Sequence, residues 1–249
     1  MTVTAGANRL CDATLALVYP QACHVCGASV ESRFDGVVCS FCWSKSRLFL
    51  PGEVLCWKCG APASATHSGA YEDLRCHRCE DLTFTAARAC GGYEGALRAS
   101  IIALKQKPHI CRRIGLLMKG LCATAPLNRA TRVLPVPLHA DREKERGFNQ
   151  AVVLAEVVGD LLGLPVMREG LTRTTHTERH RAGMDARARR ESVESAFYVS
   201  QPKLVAGESI LLVDDVLTTG ATVSACAASL RSAGALDVFV LTLARPLLP

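Results

Sequence analysis

The sequence predicts an α/β protein: an open parallel sheet with helices on both faces, preceded by a small cysteine-rich module. Eight of the 13 cysteines lie in four pairs with identical spacing, all before residue 80. After about residue 90, aliphatic stretches of strand length and helix length alternate along the chain. Strands that are apolar throughout are buried on both faces, which is typical of a parallel sheet covered by helices.

Composition divides the 249-residue chain near residue 90. Residues 1–90 hold eight Lys or Arg and eight Asp or Glu, whereas residues 91–249 hold 21 and 15 and account for the formal net charge of +6. We therefore expect two domains: a cysteine-rich module over 1–90 that begins with a short helix at 8–19, and an α/β domain over 91–249. The modest positive charge is weak evidence for a nucleic-acid partner, because an ordinary solvated surface can carry the same charge.

The apolar segments are too short to enter a membrane. No stretch approaches 18 consecutive apolar residues. The run at 15–19 lacks the basic flank of a signal peptide. We expect a cytoplasmic protein with no membrane insertion, in a compartment where thiols stay reduced and disulfides rarely persist.

The four cysteine pairs predict a double zinc ribbon. Two residues between thiols let both sulfurs turn toward one point, and two such turns complete a tetrahedral four-sulfur zinc site. Disulfides would need an oxidising compartment, and a redox Cys-x-x-Cys motif usually occurs once in a chain. The expected ligands of two zinc ions are Cys23, Cys26, Cys39, Cys42, Cys56, Cys59, Cys76 and Cys79.

The way in which the pairs combine is open at this point. We expect sequential sites, in which the first two pairs hold one ion and the last two hold the other. An interleaved cross-brace could use the same ligands. Either site is closed to further ligands, so the zinc would be structural rather than catalytic. A module this small would also depend on its metal for folding.

The spacing of apolar residues, together with the prolines and glycines that end segments, predicts the helices and strands of the α/β half. Apolar residues at helical spacing precede Lys105, and prolines or glycines end several segments. We expect about five strands in the sheet. The predicted helices cover about 97–107, 110–122, 148–162 and 221–232, and the predicted strands cover 132–137, 209–213 and 238–243.

A short loop rich in threonine follows the strand predicted at 209–213. Asp214 and Asp215 stand at its carboxyl end, where ligands bind in open α/β sheets. The N–H groups and hydroxyls of the following loop can converge on a phosphate at the start of a helix. Since the acids would repel that phosphate, they must bind ribose hydroxyls, a metal ion or both. The predicted phosphate loop consists of Thr218, Thr219, Gly220, Ala221 and Thr222.

Two arginine-containing segments are candidates for the same site. Arg142 and Arg146 follow the strand predicted at 132–137, and a guanidinium donates paired hydrogen bonds to phosphate oxygens. They could equally form a solvated helix face, because Glu143 and Glu145 alternate with them. Residues 168–190 hold seven arginines against three acids. We expect a mobile loop over the site there, with a basic loop that attracts nucleic acid as the alternative.

These motifs resemble known families. The run at 210–222 is similar to the 5-phosphoribosyl 1-pyrophosphate (PRPP) loop of type I phosphoribosyltransferases. The segments at 93–105, 135–138 and 145–150, together with the paired cysteines, resemble the ComF family over about residues 10–245. The resemblance implies a type I phosphoribosyltransferase-like fold that binds PRPP with Mg²⁺. Asp214 and Asp215 would hold the ribose hydroxyls, and 218–222 would hold the 5-phosphate.

Three functions fit these residues. The first is a phosphoribosyltransferase, in which Arg142 and Arg146 with Mg²⁺ stabilise the departing pyrophosphate. The second, implied by the resemblance, is a non-enzymatic protein of natural competence that handles single-stranded DNA with other competence proteins. The third is a salvage-like role with purely structural zinc. No residue stands out as a general base or as a reader of a nucleobase. Aromatic residues make up only 5% of the chain, which is sparse for base stacking.

Overall fold

The computed structural model of the protein describes residues 21–50, 52–63, 74–173 and 196–247. The helix predicted at 8–19 and most of the basic segment at 168–190 lie outside the described residues. Within the described ranges, no helix combines the length and the apolarity that a membrane span requires.

Four parallel strands form the central sheet, in the order β1-β6-β5-β2. The open parallel sheet is thus confirmed. It has one strand fewer than expected among the described residues, although Val166 adds a single parallel bridge to Val133 beside β2. A separate antiparallel pair joins β3 and β4. The strands are β1 (Ala86–Gly92), β2 (Arg132–Pro135), β3 (Leu171–Arg173), β4 (Phe197–Val199), β5 (Ser209–Val216) and β6 (Asp237–Arg245).

The predicted helices of the α/β half are present, with short additions. The Asn149 side chain caps α5 by accepting a hydrogen bond from Ala151 N at 2.9 Å, and its amide donates to Val136 O at 3.0 Å. This pair of bonds ties the start of α5 to the segment that follows β2. The α-helices are α1 (Ser40–Ser44), α2 (Gly95–Leu104), α3 (Arg112–Cys122), α4 (Ala140–Arg146), α5 (Gln150–Leu162) and α6 (Ala221–Ser232).

Helices cover both faces of the sheet, as the apolar strands predict. Alternate residues of a strand point to opposite faces. Leu211 and its neighbours on that face pack in one core with α2, α3 and α5. Leu212 and its neighbours pack in a second core with α6. Three of the first four paired cysteines belong to the first core, and three of the last four belong to the second.

Strand β1 is an element that the sequence pattern did not reveal. All seven of its residues are buried. The outer edge of β1 is covered by the cysteine-rich region, since Phe49 N donates to Cys90 O at 2.9 Å and Ala87 N donates to Lys58 O at 2.7 Å. The strand crosses residue 90, at which the composition divides, and the division into two domains stays a prediction.

Strand β5 runs three residues further than predicted. Asp214 and Asp215 therefore lie in the strand itself, and Asp214 is in register with Thr242 of β6. The extended backbone fixes both acids at the carboxyl edge of the sheet. The loop that follows is correspondingly short, because α6 begins at Ala221.

Candidate functional site

The eight paired cysteines form two separate groups of four. Within each group, the sulfur atoms all lie within 4.8 Å of one another. The grouping is sequential rather than interleaved. Cys23, Cys26, Cys39 and Cys42 form the first cluster, and Cys56, Cys59, Cys76 and Cys79 form the second.

Each cluster begins with the same backbone turn. Gly27 N donates to Cys23 O at 2.9 Å, and Gly60 N donates to Cys56 O at 2.8 Å. Both glycines have a positive φ, 77° for Gly27 and 66° for Gly60, a conformation that a side chain would strain. The two turns are therefore copies of one local structure, in which the backbone folds around the first cysteine pair.

The sulfur spacing fits zinc. Cys26 Sγ lies 3.7 Å from Cys39 Sγ, and Cys56 Sγ lies 3.6 Å from Cys79 Sγ. Four sulfurs bound tetrahedrally at the usual Zn–S length would lie about 3.8 Å apart. Burial raises the pKa of the Cys79 thiol to about 12, so four neighbouring thiols do not ionise together unless a cation compensates them. Two four-cysteine sites suit two zinc ions.

The two acids at the end of β5 interact with each other and with a lysine. Asp215 N donates to Asp214 Oδ1 at 2.8 Å. Lys105, directly after α2, places Nζ 3.1 Å from Asp215 Oδ2. Protein atoms surround Asp214 densely, and this desolvation, with the neighbouring Asp215 charge, raises the pKa of Asp214 to about 8. Asp214 therefore holds a proton at neutral pH, while Lys105 stabilises the charge of Asp215.

The loop after these acids presents unused backbone donors. Gly220 adopts φ 82° and caps α6, whose first turn closes with Ser224 N donating to Gly220 O at 2.8 Å. Thr218 and Thr219 are exposed. Within the described residues, the backbone N–H groups of Thr218, Thr219 and Gly220 donate no hydrogen bond. These donors, at the positive end of the α6 dipole, suit an anion.

Arg142 and Arg146 lie on α4, which follows the carboxyl end of β2. The sequence predicts that both arginines face the same edge of the sheet as Asp214. No residue of α4 is buried. This position agrees with a phosphate contact and with a solvated helix face alike, so their role stays a prediction.

Two further residues belong to this edge, and the sequence analysis did not assign them to it. Lys105 contacts Asp215 as described above. Arg245 ends β6, is only 7% exposed, and lines a cavity beside Thr218 and Thr219. Its position as the last residue of an apolar strand was the available signal, since the carboxyl ends of neighbouring parallel strands meet at one edge.

Comparisons with known proteins agree with both halves of the chain. The double zinc ribbon domain matches residues 14–94, and the phosphoribosyl transferase domain matches residues 144–247. Competence protein F of Haemophilus influenzae is 32% identical over 55% of this chain and 59% of that protein. The DNA utilization protein YhgH of Escherichia coli O157:H7 is 32% identical over 93% of this chain and 100% of that protein.

The chain belongs to the ComF family. Among solved structures, it is similar to the glutamine PRPP amidotransferase from B. subtilis, with 19% identity over 52% of this chain and 25% of that chain, at a TM-score of 0.37. The similar relatives confirm the ComF resemblance noted in the sequence, and the two domain matches confirm a fold that joins a double zinc ribbon to a phosphoribosyltransferase-like sheet.

Proposed function

We propose that this ComF protein binds PRPP, or a related ribose 5-phosphate ligand, together with Mg²⁺ at the carboxyl edge of β5. One observation carries the proposal: two acids end β5, and a loop with unused N–H donors follows them directly and opens α6. Acids and anion-binding donors side by side suit the opposite ends of one sugar phosphate. The match of 144–247 to the phosphoribosyl transferase domain supports the proposal.

The residue roles follow from charge. Asp214 and Asp215 accept hydrogen bonds from the ribose 2′- and 3′-hydroxyls, and residues 218–222 bind the 5-phosphate. Arg142 and Arg146 donate to the pyrophosphate group. Carboxylate and phosphate oxygens are the ligands that Mg²⁺ prefers, and a bound ion supplies positive charge to the pyrophosphate. The eight paired cysteines hold two structural zinc ions.

Transfer of the phosphoribosyl group is the reaction that such a site supports. A nitrogen nucleophile attacks the anomeric carbon and forms a C–N bond. The bond from that carbon to the pyrophosphate oxygen breaks, and pyrophosphate leaves with the bonding electron pair. The nitrogen then gives up its proton. The arginines lower the barrier by stabilising the negative charge that develops on pyrophosphate.

Calorimetric titration of zinc-loaded protein with PRPP and Mg²⁺ tests the proposal. Replacing both acids, Asp214→Asn with Asp215→Asn, should weaken binding by about 100-fold, because each charge-assisted hydrogen bond contributes about 1.5 kcal/mol or more. Asp160→Asn, an exposed position on α5, is the matched control and should bind as the wild type does. Absence of PRPP binding in folded wild-type protein would overturn the proposal. Pyrophosphate release with candidate nitrogen acceptors then tests turnover.

The raised pKa of Asp214 gives this site a pH signature. Because ribose hydroxyls donate stronger hydrogen bonds to a carboxylate than to a carboxylic acid, binding favours the ionised form of Asp214, and affinity should rise as the pH increases from 6 to 8. The Asp214→Asn variant should lose this dependence.

The stability of the protein should change with pH in the opposite direction. Folded Asp214 keeps a proton that the unfolded chain releases near pH 4, so the free energy of unfolding falls between pH 4 and 8. Denaturant unfolding at pH 8 should find Asp214→Asn more stable than the wild type.

A second candidate function is the handling of single-stranded DNA. The names of the relatives favour it, since one is a DNA utilization protein and another a competence protein. The zinc module and the arginine-rich segment would then form the binding surface, and binding would weaken with salt. Deleting residues 174–190 and measuring fluorescence anisotropy with labelled single strands tests this. Loss of DNA binding with PRPP binding retained favours the second function, and unchanged DNA binding contradicts it.

A further inference from the structure

The two cysteine clusters differ in their exposure to solvent. Of the eight paired cysteines, Cys26 in the first cluster is exposed, Cys76 in the second is half-buried, and the other six are buried. The surface of the first cluster is open as well, since Val25 is 45% exposed and Phe41, which precedes Cys42, is 59% exposed. A small reagent dissolved in water therefore reaches the paired cysteines most readily at Cys26.

The second cluster provides a comparison within the same chain. Three of its cysteines line the cavity beside Thr218 and Thr219, yet Cys59 and Cys79 are only 6% and 1% exposed. The half-buried Cys76 lies against both of them, with its Sγ 3.5 Å from Cys59 Sγ and 3.6 Å from Cys79 Sγ. Access to the sulfur atoms of the second cluster is therefore more restricted than access to Cys26.

Zinc would keep the exposed sulfur in a reactive form. A metal-bound cysteine is a thiolate, and the thiolate is the nucleophilic form of the side chain. Cys23 Sγ accepts hydrogen bonds from Val25 N at 3.5 Å and Cys39 N at 3.3 Å, which stabilise its negative charge and lower its nucleophilicity. Cys26 Sγ instead contacts the sulfur of Cys39 and accepts no backbone N–H hydrogen bond from the described residues. Its charge is therefore more available for reaction.

A second thiolate lies close enough to complete a disulfide with Cys26. Cys39 Sγ is 3.7 Å from Cys26 Sγ. The sulfur–sulfur bond of a disulfide is about 2.05 Å long, so a small movement of the two side chains brings the sulfurs together. Redox-sensitive sites combine an accessible thiolate with a nearby cysteine that resolves the oxidised form, and the first cluster has both.

We propose that the first cysteine cluster is a peroxide-sensitive switch, in which hydrogen peroxide oxidises Cys26, Cys39 forms a disulfide with it, and the zinc ion leaves. The Cys26 thiolate attacks one peroxide oxygen, the O–O bond breaks, and hydroxide leaves with the bonding electron pair. The Cys39 thiolate then attacks the sulfur of the resulting sulfenic acid, and a second hydroxide leaves. Two electrons pass from the sulfurs to one peroxide, which becomes two water molecules after taking up two protons.

The switch acts on the part of the structure that the first ion would hold. Thiolates are the zinc ligands, so a site that has lost two of its four thiolates to a disulfide no longer retains the ion. Residues 21–49 contact α3 through Asp35 and Arg113, and they cover the edge of β1 where Phe49 N donates to Cys90 O. Both contacts are weakened when the metal leaves. The inference is independent of the proposed ligand site, because it concerns the first cluster alone.

Oxidation of zinc-loaded wild-type protein by hydrogen peroxide tests the proposal. A chromogenic chelator should record the release of one zinc ion per chain while the other stays bound, and peptide mapping by mass spectrometry should find a disulfide between Cys26 and Cys39. A dimedone-type trap for sulfenic acid, added with the peroxide, should label Cys26. Dithiothreitol with added zinc should restore both ions. Simultaneous release of both ions, a first disulfide within the second cluster, or no release at all would overturn the proposal.

Two matched histidine variants separate reactivity from metal binding. Imidazole is a zinc ligand in three-cysteine sites, so Cys26→His should still contain two zinc ions. Peroxide should release its first ion at least about tenfold more slowly, because no thiolate is exposed there. Cys76→His, at the half-buried position of the second cluster, is the control and should release the first ion as the wild type does. Undiminished release from folded Cys26→His protein would contradict the proposal. If Cys26→His binds fewer than two ions, the disulfide map and the trapping of sulfenic acid in the wild type decide.

Discussion

The two cysteine clusters share one local structure but differ in what they pack against. We call residues 21–49 the first ribbon. It is joined to α3 by Arg113, whose Nε lies 2.5 Å from Asp35 Oδ1. Within the ribbon, Trp43 Nε1 donates to Asp35 O at 2.9 Å and fixes the position of Asp35. The second ribbon, residues 52–63 and 74–84, instead contacts the phosphate loop and α6, since Thr83 N donates to Ser224 Oγ at 2.9 Å and Leu82 lies against Gly220. Two copies of one metal-binding unit thus have different neighbours, and only the second copy contacts the predicted phosphate loop.

Removing one zinc ligand from each cysteine cluster should give the largest difference between the two ribbons. Cys39 and Cys79 are each 1% exposed. Cys39→Ala and Cys79→Ala should each reduce the zinc content from two ions to one and lower the free energy of unfolding by several kcal/mol, because zinc binding contributes about 10 kcal/mol to the folding of such sites. Only Cys79→Ala should weaken ribose 5-phosphate binding, measured by calorimetry at a temperature where both variants are folded, because Leu82 of its ribbon lies against Gly220 of the phosphate loop. Weaker ribose 5-phosphate binding by Cys39→Ala would break the distinction between the ribbons.

The second test truncates one large buried side chain in each ribbon. Trp43 is 2% exposed and Phe84 is 1% exposed, so each change to alanine should cost about 3–5 kcal/mol. A Cβ at Gly220 would lie 3.7 Å from Phe84 Cε1, so this ring supports the phosphate loop. Phe84→Ala should therefore also weaken ribose 5-phosphate binding by about tenfold, whereas Trp43→Ala should not. Equal effects on binding would show that the loop does not depend on the second ribbon.

Substitution of the turn glycines Gly27 and Gly60 should give the smallest difference in stability between the two ribbons. Gly27→Ala should cost about 1 kcal/mol, since the positive φ is the only penalty and a Cβ there meets nothing within 4 Å. A Cβ at Gly60 would lie 2.6 Å from Ala87 O of β1. Gly60→Ala should therefore be the more destabilising of the two in urea unfolding, by about 1 kcal/mol or more. Identical costs would contradict the close seating of the second ribbon on β1.

The parts of the structure that could be predicted from sequence are local in the chain. Each Cys-x-x-Cys turn is formed by neighbouring residues, and the acids at the end of β5 and the threonine loop after it lie within nine positions of the chain. Apolar alternation of strand and helix predicted the parallel sheet and its covered faces. In each case the residues that interact are close in sequence, so their spacing carries the information.

The features that escaped prediction depend on packing between distant segments. Strand β1 consists of alanine, glycine, cysteine and arginine, without the β-branched residues that identify strands. The contact between Lys105 and Asp215 joins the end of α2 to β5. The cavity beside Thr218 and Thr219 depends on the second ribbon lying next to the loop after β5, and no local pattern encodes that placement. The sequential grouping of cysteines was open for the same reason.

The position of β1 has a consequence for the behaviour of the protein without metal. This strand lies at the edge of the sheet, and its outer side bonds to Phe49 at the end of the first ribbon and to Lys58 within the second. An uncovered edge strand offers unpaired backbone groups to other chains. Loss of zinc would loosen both covers and leave the backbone edge of a buried strand open to intermolecular pairing. Zinc supply would then govern aggregation of the protein, in addition to the shape of any ligand site.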